Sequence, residues 1–123
     1  MRTLVLISIF FLIISSYSYP SKSDWEKVVY NDLGTTYIDF DRIRKVDGFI
    51  YYWVLMNFEK EKRSFLIYTQ SDCKVFKLKR ISWTTYKGTM GKGESYEKDT
   101  SKRKWEFPLP NSILEKELKS ICK

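Results

Sequence analysis

The apolar positions of this chain fall into short alternating runs, and one run is almost unbroken. Phe49–Phe58 reads Phe-Ile-Tyr-Tyr-Trp-Val-Leu-Met-Asn-Phe, with Asn57 its single polar residue. Aromatic and β-branched types dominate it, and it holds neither Gly nor Pro, which favours a strand over a buried helix turn. Alternation sends Phe49, Tyr51, Trp53 and Leu55 to one face and Ile50, Tyr52, Val54, Met56 and Phe58 to the other. Both faces are apolar, so the pattern predicts a central strand covered on both sides.

Weaker alternation surrounds it. Trp25–Tyr30 and Thr36–Asp39 read as strands separated by the turn residues Asn31-Asp32-Leu33-Gly34. Asp39–Lys45 reads as a connector, with Asp39 or Asp41 capping a helical turn and Ile43 as its buried peg. Asp47-Gly48 is hairpin-turn chemistry feeding the central run. Glu59–Arg63 is a charged tip of mixed sign, read as a solvated loop. Ser64–Cys73 returns as a strand with Phe65, Ile67, Thr69, Ser71 and Cys73 on one face. Val75–Tyr86 reads as a long strand, with Phe76 and Leu78 opposite Lys77 and Lys79. Its basic start and apolar end predict a bulge or a departure from the core edge. Gly88–Gly93 reads as a flexible loop, Glu94–Lys104 as a ragged polar strand, and Trp105–Phe107 as a short strand ended by Pro108 and Pro110.

Only the tail has clear helical spacing. Over Asn111–Lys123, Ile113, Leu114, Leu118, Ile121 and Cys122 share a stripe, with Glu115, Lys116 and Lys119 outside it. Ser112 followed by Glu115 has the form of a capping box. The pattern predicts an α+β domain: an antiparallel β-sheet of about six strands, with a C-terminal helix packed on it and disulfide-linked to it.

The first residues change the compartment. Met1-Arg2-Thr3 is a basic start, Leu4–Ile14 is apolar apart from Ser8, and Ser16 and Ser18 are small. This is signal-peptide layout, with cleavage expected after Ser18. The apolar run is about half of the ~20 residues a membrane span needs, so no span is expected once it is removed. No Cys lies in or just after it, so a lipid-anchored form is not expected. The expected organisation is a signal peptide at 1–18, a polar leader at 19–24 and one domain at 25–123.

Cys73 and Cys122 are the only cysteines. In an exported chain a pair reads as a disulfide, which here would staple the tail helix to the strand end. Free thiols or a redox site are the alternatives, although no Cys-x-x-Cys is present.

Charge and chemistry narrow the function. The chain carries +7 and contains no His. The excess favours acidic or polyanionic partners. The absent His removes the usual general base, metal ligand and pH switch. Asp39 and Asp41 lack the remaining ligands of a calcium loop, and Gly88–Gly93 lacks the Gly-Lys-Ser/Thr of a phosphate cradle. Asp39, Asp41 and Asp72 are the carboxylates an enzyme would have to use. The expectation is no enzyme, no cofactor and no metal, and export argues against nucleic acid. Lys74, Lys77, Lys79, Arg80, Lys87 and Lys92 surround one strand and its loop and form a candidate binding patch. Lysines that merely guard a sheet edge would look the same.

Several spaced features also resemble the bacterial surface-adhesin protein E family. They are Trp25, Tyr37-Ile38-Asp39 with Ile43, Trp53-Val54-Leu55, Asp72-Cys73-Lys74, Tyr86 with Gly88-Thr89-Met90-Gly91-Lys92-Gly93, Trp105, and Pro110 before a closing helix with Cys122. The resemblance implies an antiparallel sheet with a packed helix and a Cys73–Cys122 bridge. It also implies adhesion to host extracellular-matrix and plasma proteins as protein partners. Periplasmic, surface-bound and released forms are all compatible with it. A rigid inhibitor or accessory protein that plugs a partner's cleft, using Gly88–Gly93, is the alternative role.

Overall fold

A computed structural model describes residues 24–97 and 103–123. The expected signal peptide at 1–18 and nearly all of the expected polar leader at 19–24 lie outside the described residues. Seven strands form one antiparallel sheet: β1 (Trp25–Tyr30), β2 (Thr35–Asp39), β3 (Arg44–Val46), β4 (Phe49–Phe58), β5 (Arg63–Asp72), β6 (Lys77–Tyr86) and β7 (Ser95–Glu97). The order is β1-β2-β4-β5-β6-β7, and β3 also pairs with β4. β2 meets the second half of β4 and β3 meets its first half, so these two short strands lie end to end along one edge. A 3-10 turn at Phe40–Arg42 joins them, capped by Asp39, whose Oδ1 accepts from the Asp41 amide at 3.2 Å.

The central run is β4, as its pattern predicts, but it is not covered on both sides: Phe49, Tyr51 and Trp53 stay half-buried on the face away from α1. Tyr52 and Val54 form the core with Ile38, Ile67 and Ile121. The single described helix, α1 (Ile113–Ile121), covers this face. Its cap differs in one detail from a simple capping box. Ser112 Oγ accepts from the Glu115 amide, but the Glu115 carboxylate reaches back to the amide of Asn111, both at 3.2 Å. The Asn111 amide, together with Lys119, holds the Glu115 carboxyl below its ordinary value. No described helix is long and apolar enough to cross a membrane.

Three expectations are corrected. Arg44–Val46 is a strand rather than connector, because the Asp47-Gly48 turn, with φ of 51° and 82°, folds it onto β4. Val75 and Phe76 belong to the β5–β6 turn: Asp72 Oδ1 accepts from the Lys74 and Val75 amides, and Phe76 takes a φ of 58°. Of Glu94–Lys104, only Ser95–Glu97 pairs as a strand within the described residues. The bulge in β6 is present: Thr69 faces Arg80 while Tyr68 faces Ser82, leaving Ile81 as the extra residue.

The tie between helix and sheet is double. Cys73, just past the end of β5, is bonded to Cys122 across 49 positions, with Cα atoms 5.4 Å apart. A loop of that length stabilises by about 4 kcal/mol in the chain-entropy account. The second tie is ionic. Glu117 is fully buried under α1. Arg80 donates to both its carboxylate oxygens, at 2.9 and 2.8 Å, and also to Thr69 Oγ1 at 2.7 Å. The Tyr52 hydroxyl donates to Glu117 Oε2 at 2.8 Å. Burial would lower the Arg80 pKa, but the Glu117 charge and its hydrogen bonds raise it. Burial first, and the Glu117 charge second, push the Tyr52 hydroxyl well above its ordinary value.

Removing one partner of a buried pair strands the other. Glu117→Gln is expected to lower stability by about 3–5 kcal/mol, against under about 0.5 kcal/mol for Lys119→Gln. Urea unfolding checks this; equal midpoints would refute the role given to Glu117. Tyr52 sets an alkaline limit. The unfolded phenol ionises near ~10 while the native one keeps its proton, so stability must fall as pH rises past that value. Tyr52→Phe should be less stable at neutral pH and show a shallower alkaline decline in the same titration.

Candidate functional site

Alternation turns the opposite side chains of β3 to β6 away from α1. Arg44 aligns with Tyr51, Tyr51 with Gln70, and Gln70 with Lys79, a row that crosses four strands. Gln70 Nε2 donates to the Tyr51 hydroxyl at 3.0 Å. The neighbouring row is Trp53, Tyr68 and Ser82. Tyr68 stacks on Tyr51 at 6.0 Å and meets Trp53 at 4.7 Å between ring centroids. A shallow groove of about 380 Å³ lies here, lined by Arg44, Val46, Tyr51, Tyr68 and Ile81.

Trp105 closes one end of this face. A paired bridge between Leu78 and Glu106, with amide bonds of 3.0 and 2.7 Å, fixes the segment beside β6. The indole then rests on Phe49 at 5.8 Å. The ammonium groups of Lys77 and Lys79 lie 4.5 and 4.6 Å from its ring centroid. Cations at that distance are attracted by the ring quadrupole but keep their charge for a second partner. Among the described residues, Arg44, Lys77 and Lys79 form no ion pair.

The structure divides the predicted basic patch. Lys77 and Lys79 stand together on this face. Arg80 does not join them: it shares the parity of Leu78, faces α1 and is spent on Glu117. Lys87 is exposed and paired with Glu94 at 3.3 Å. Lys74 lies in the β5–β6 turn and Lys92 within the glycine loop, both exposed. Arg44, Tyr51, Tyr68 and Trp105, absent from the predicted patch, complete the surface. Asp39 is a cap, held also by Arg42 at 3.4 Å, rather than half of a reactive pair.

Gly88–Gly93 is also corrected. It folds onto the sheet over Leu55 instead of standing free. Asn57 Oδ1 accepts from the Met90 amide at 2.8 Å. Ser64 Oγ accepts from the Gly91 amide at 2.8 Å and donates to the Gly88 carbonyl at 2.7 Å. Gly88 is required by closeness: a Cβ there would sit 2.5 Å from the Lys92 carbonyl oxygen. A loop laid against the sheet instead of projecting from it is a poor candidate for insertion into a partner's cleft.

Comparison with known proteins agrees with this architecture. A family model described as surface-adhesin protein E matches residues 25–123. The chain belongs to that family. A crystal form II structure of Haemophilus influenzae protein E superposes with a TM-score of 0.67 at 19% identity, covering 84% of this chain and 90% of that one. Protein E from non-typeable Haemophilus influenzae gives 0.62 at 18% identity, covering 84% and 79%. At such identity the likeness to these structures is one of fold. A search of curated proteins finds no match.

Asn57 and Ser64 are buried, so truncating both should leave two loop amides without partners, at about 1–3 kcal/mol each. Asn57→Ala with Ser64→Ala is expected to speed hydrogen exchange at Met90 and Gly91 and expose Lys87 and Lys92 to trypsin. Unchanged exchange would show that the loop is held by other means.

Proposed function

We propose that this chain is an exported, non-enzymatic binding protein of the bacterial cell envelope, adhesin-like, with host extracellular-matrix or plasma proteins as partners. The observation that carries the reading is the family match across the whole domain. The chemistry of the molecule supports it. Its buried Glu117 cluster is satisfied internally, and Arg44, Lys77 and Lys79, without an ion pair among the described residues, sit on an aromatic sheet face. Such a face steers acidic surfaces by long-range attraction and then offers flat rings for contact. The signal-like start supports export to the periplasm, the surface or the medium.

The test is a binding panel of host matrix and plasma proteins against the mature, oxidised chain. Lys77→Glu with Lys79→Glu should slow association and flatten its dependence on salt, as expected for charges at an interface rim. Lys116→Glu, on the outer face of α1, should do neither. Whole-cell proteolysis should cleave the protein on intact bacteria. No binding to any panel member at low salt, together with full protection on intact cells, would overturn the reading.

A further inference from the structure

The groove on the open face has a composition of its own. Its floor is side chain, not strand edge: Tyr51 and Tyr68 present partly exposed rings, and Ile81 is turned into it by the bulge. Arg44 and Lys79 stand at opposite ends of the row that crosses it. Three strand spacings separate them, about 14 Å. Lys77 lies beside Lys79 against Trp105. Among the described residues Arg44, Lys77 and Lys79 form no ion pair; Asp72, which aligns with Lys77, turns its Oδ1 to the Lys74 and Val75 amides.

We propose, building on the adhesin-like reading above, that this groove binds a sulfated polysaccharide, with sugar rings on Tyr51 and Tyr68 and sulfates on Arg44, Lys77 and Lys79. The weakly positive C–H face of a pyranose suits the negative face of an aromatic ring. A planar guanidinium grips an oxyanion through two hydrogen bonds, and a lysine meets it as a point charge. Cations at both ends of the row match a chain that carries anions on successive sugars. An acidic peptide fits less well, because an extended peptide is held mainly by an open strand edge. Here the row runs across the sheet, and the rings of its floor lie on β4 and β5, which are paired on both sides.

The experiment uses the mature, oxidised chain with four immobilised probes: heparin, fully desulfated heparin, hyaluronate and poly-glutamate. Heparin should bind, with affinity falling steeply as salt rises. Desulfated heparin, hyaluronate and poly-glutamate should each bind at least about tenfold more weakly, the loss of one charge-assisted contact or more. Arg44→Glu and Lys79→Glu should each weaken heparin binding by about tenfold or more. Tyr68→Leu should weaken it while leaving the salt slope in place, and Tyr68→Phe should restore it. Thermal melts of the variants separate lost binding from lost fold, and Arg44, exposed on β3, is the variant least able to disturb the core. Lys116→Glu should bind as the parent does.

Equal binding of poly-glutamate would overturn the glycan assignment, and equal binding of hyaluronate the sulfate assignment. Parent-like heparin binding by the Arg44, Lys79 and Tyr68 variants would overturn the site. Matrix-protein binding without heparin binding would sink this inference and leave the proposed function standing. Heparin binding without matrix-protein binding would do the reverse.

Discussion

A carboxylate buried under a helix has to be neutralised, and in this protein that need fixes how the helix lies. Glu117 accepts from Arg80 on β6 and from Tyr52 on β4. Arg80 is held in turn by Thr69 on β5. Two strands therefore meet one side chain of α1 directly, and a third holds it through Arg80. An apolar stripe alone would tolerate small rotations and slides of the helix across the sheet. A bidentate ion pair with a phenol donor does not, because any slip leaves a charge without a partner in a dry site. The disulfide sets where α1 ends, and the ion pair sets which of its faces looks down.

That constraint explains the two characters of the sheet. The face under α1 holds Ile38, Val54 and Ile67 around one fully paired polar cluster. The opposite face keeps its rings half-exposed, and its cations form no ion pair among the described residues. The β6 bulge serves both. It leaves Arg80 opposite Thr69, within reach of Glu117, and turns the extra residue, Ile81, to the open side.

Much of the fold was readable from alternation and turn chemistry. β4, β5, the closing helix and the Cys73–Cys122 staple all follow from apolar period, a capping residue and paired cysteines. β3 was not readable: Arg44, Lys45 and Val46 are all exposed, so no alternation marks them. They become a strand only because a hairpin turn lays them beside β4. The candidate surface was half readable. Lys77 and Lys79 announce themselves by charge, but Trp105 reaches them through a bridge between distant segments. Grouping residues by charge also misplaced Arg80, although its parity with Leu78 pointed inward. Its partner was in view as well: Glu117 falls three residues after Leu114 and four before Ile121, inside the apolar stripe. A charged residue at such a position asks for an opposite charge on the facing sheet.

The bond between Cys73 and Cys122 also bears on mechanical load. A pull on the two ends of the chain cannot lengthen the 49-residue stretch between the sulfurs, which holds β6, β7 and α1. Fully drawn out, a stretch of that length would span roughly 160–175 Å. While the bond is intact, tension can unravel only the strands that precede Cys73. The Lys77–Lys79–Trp105 end of the open face lies inside the shielded loop, so a ligand gripping it would hold the part of the molecule that stretching reaches last.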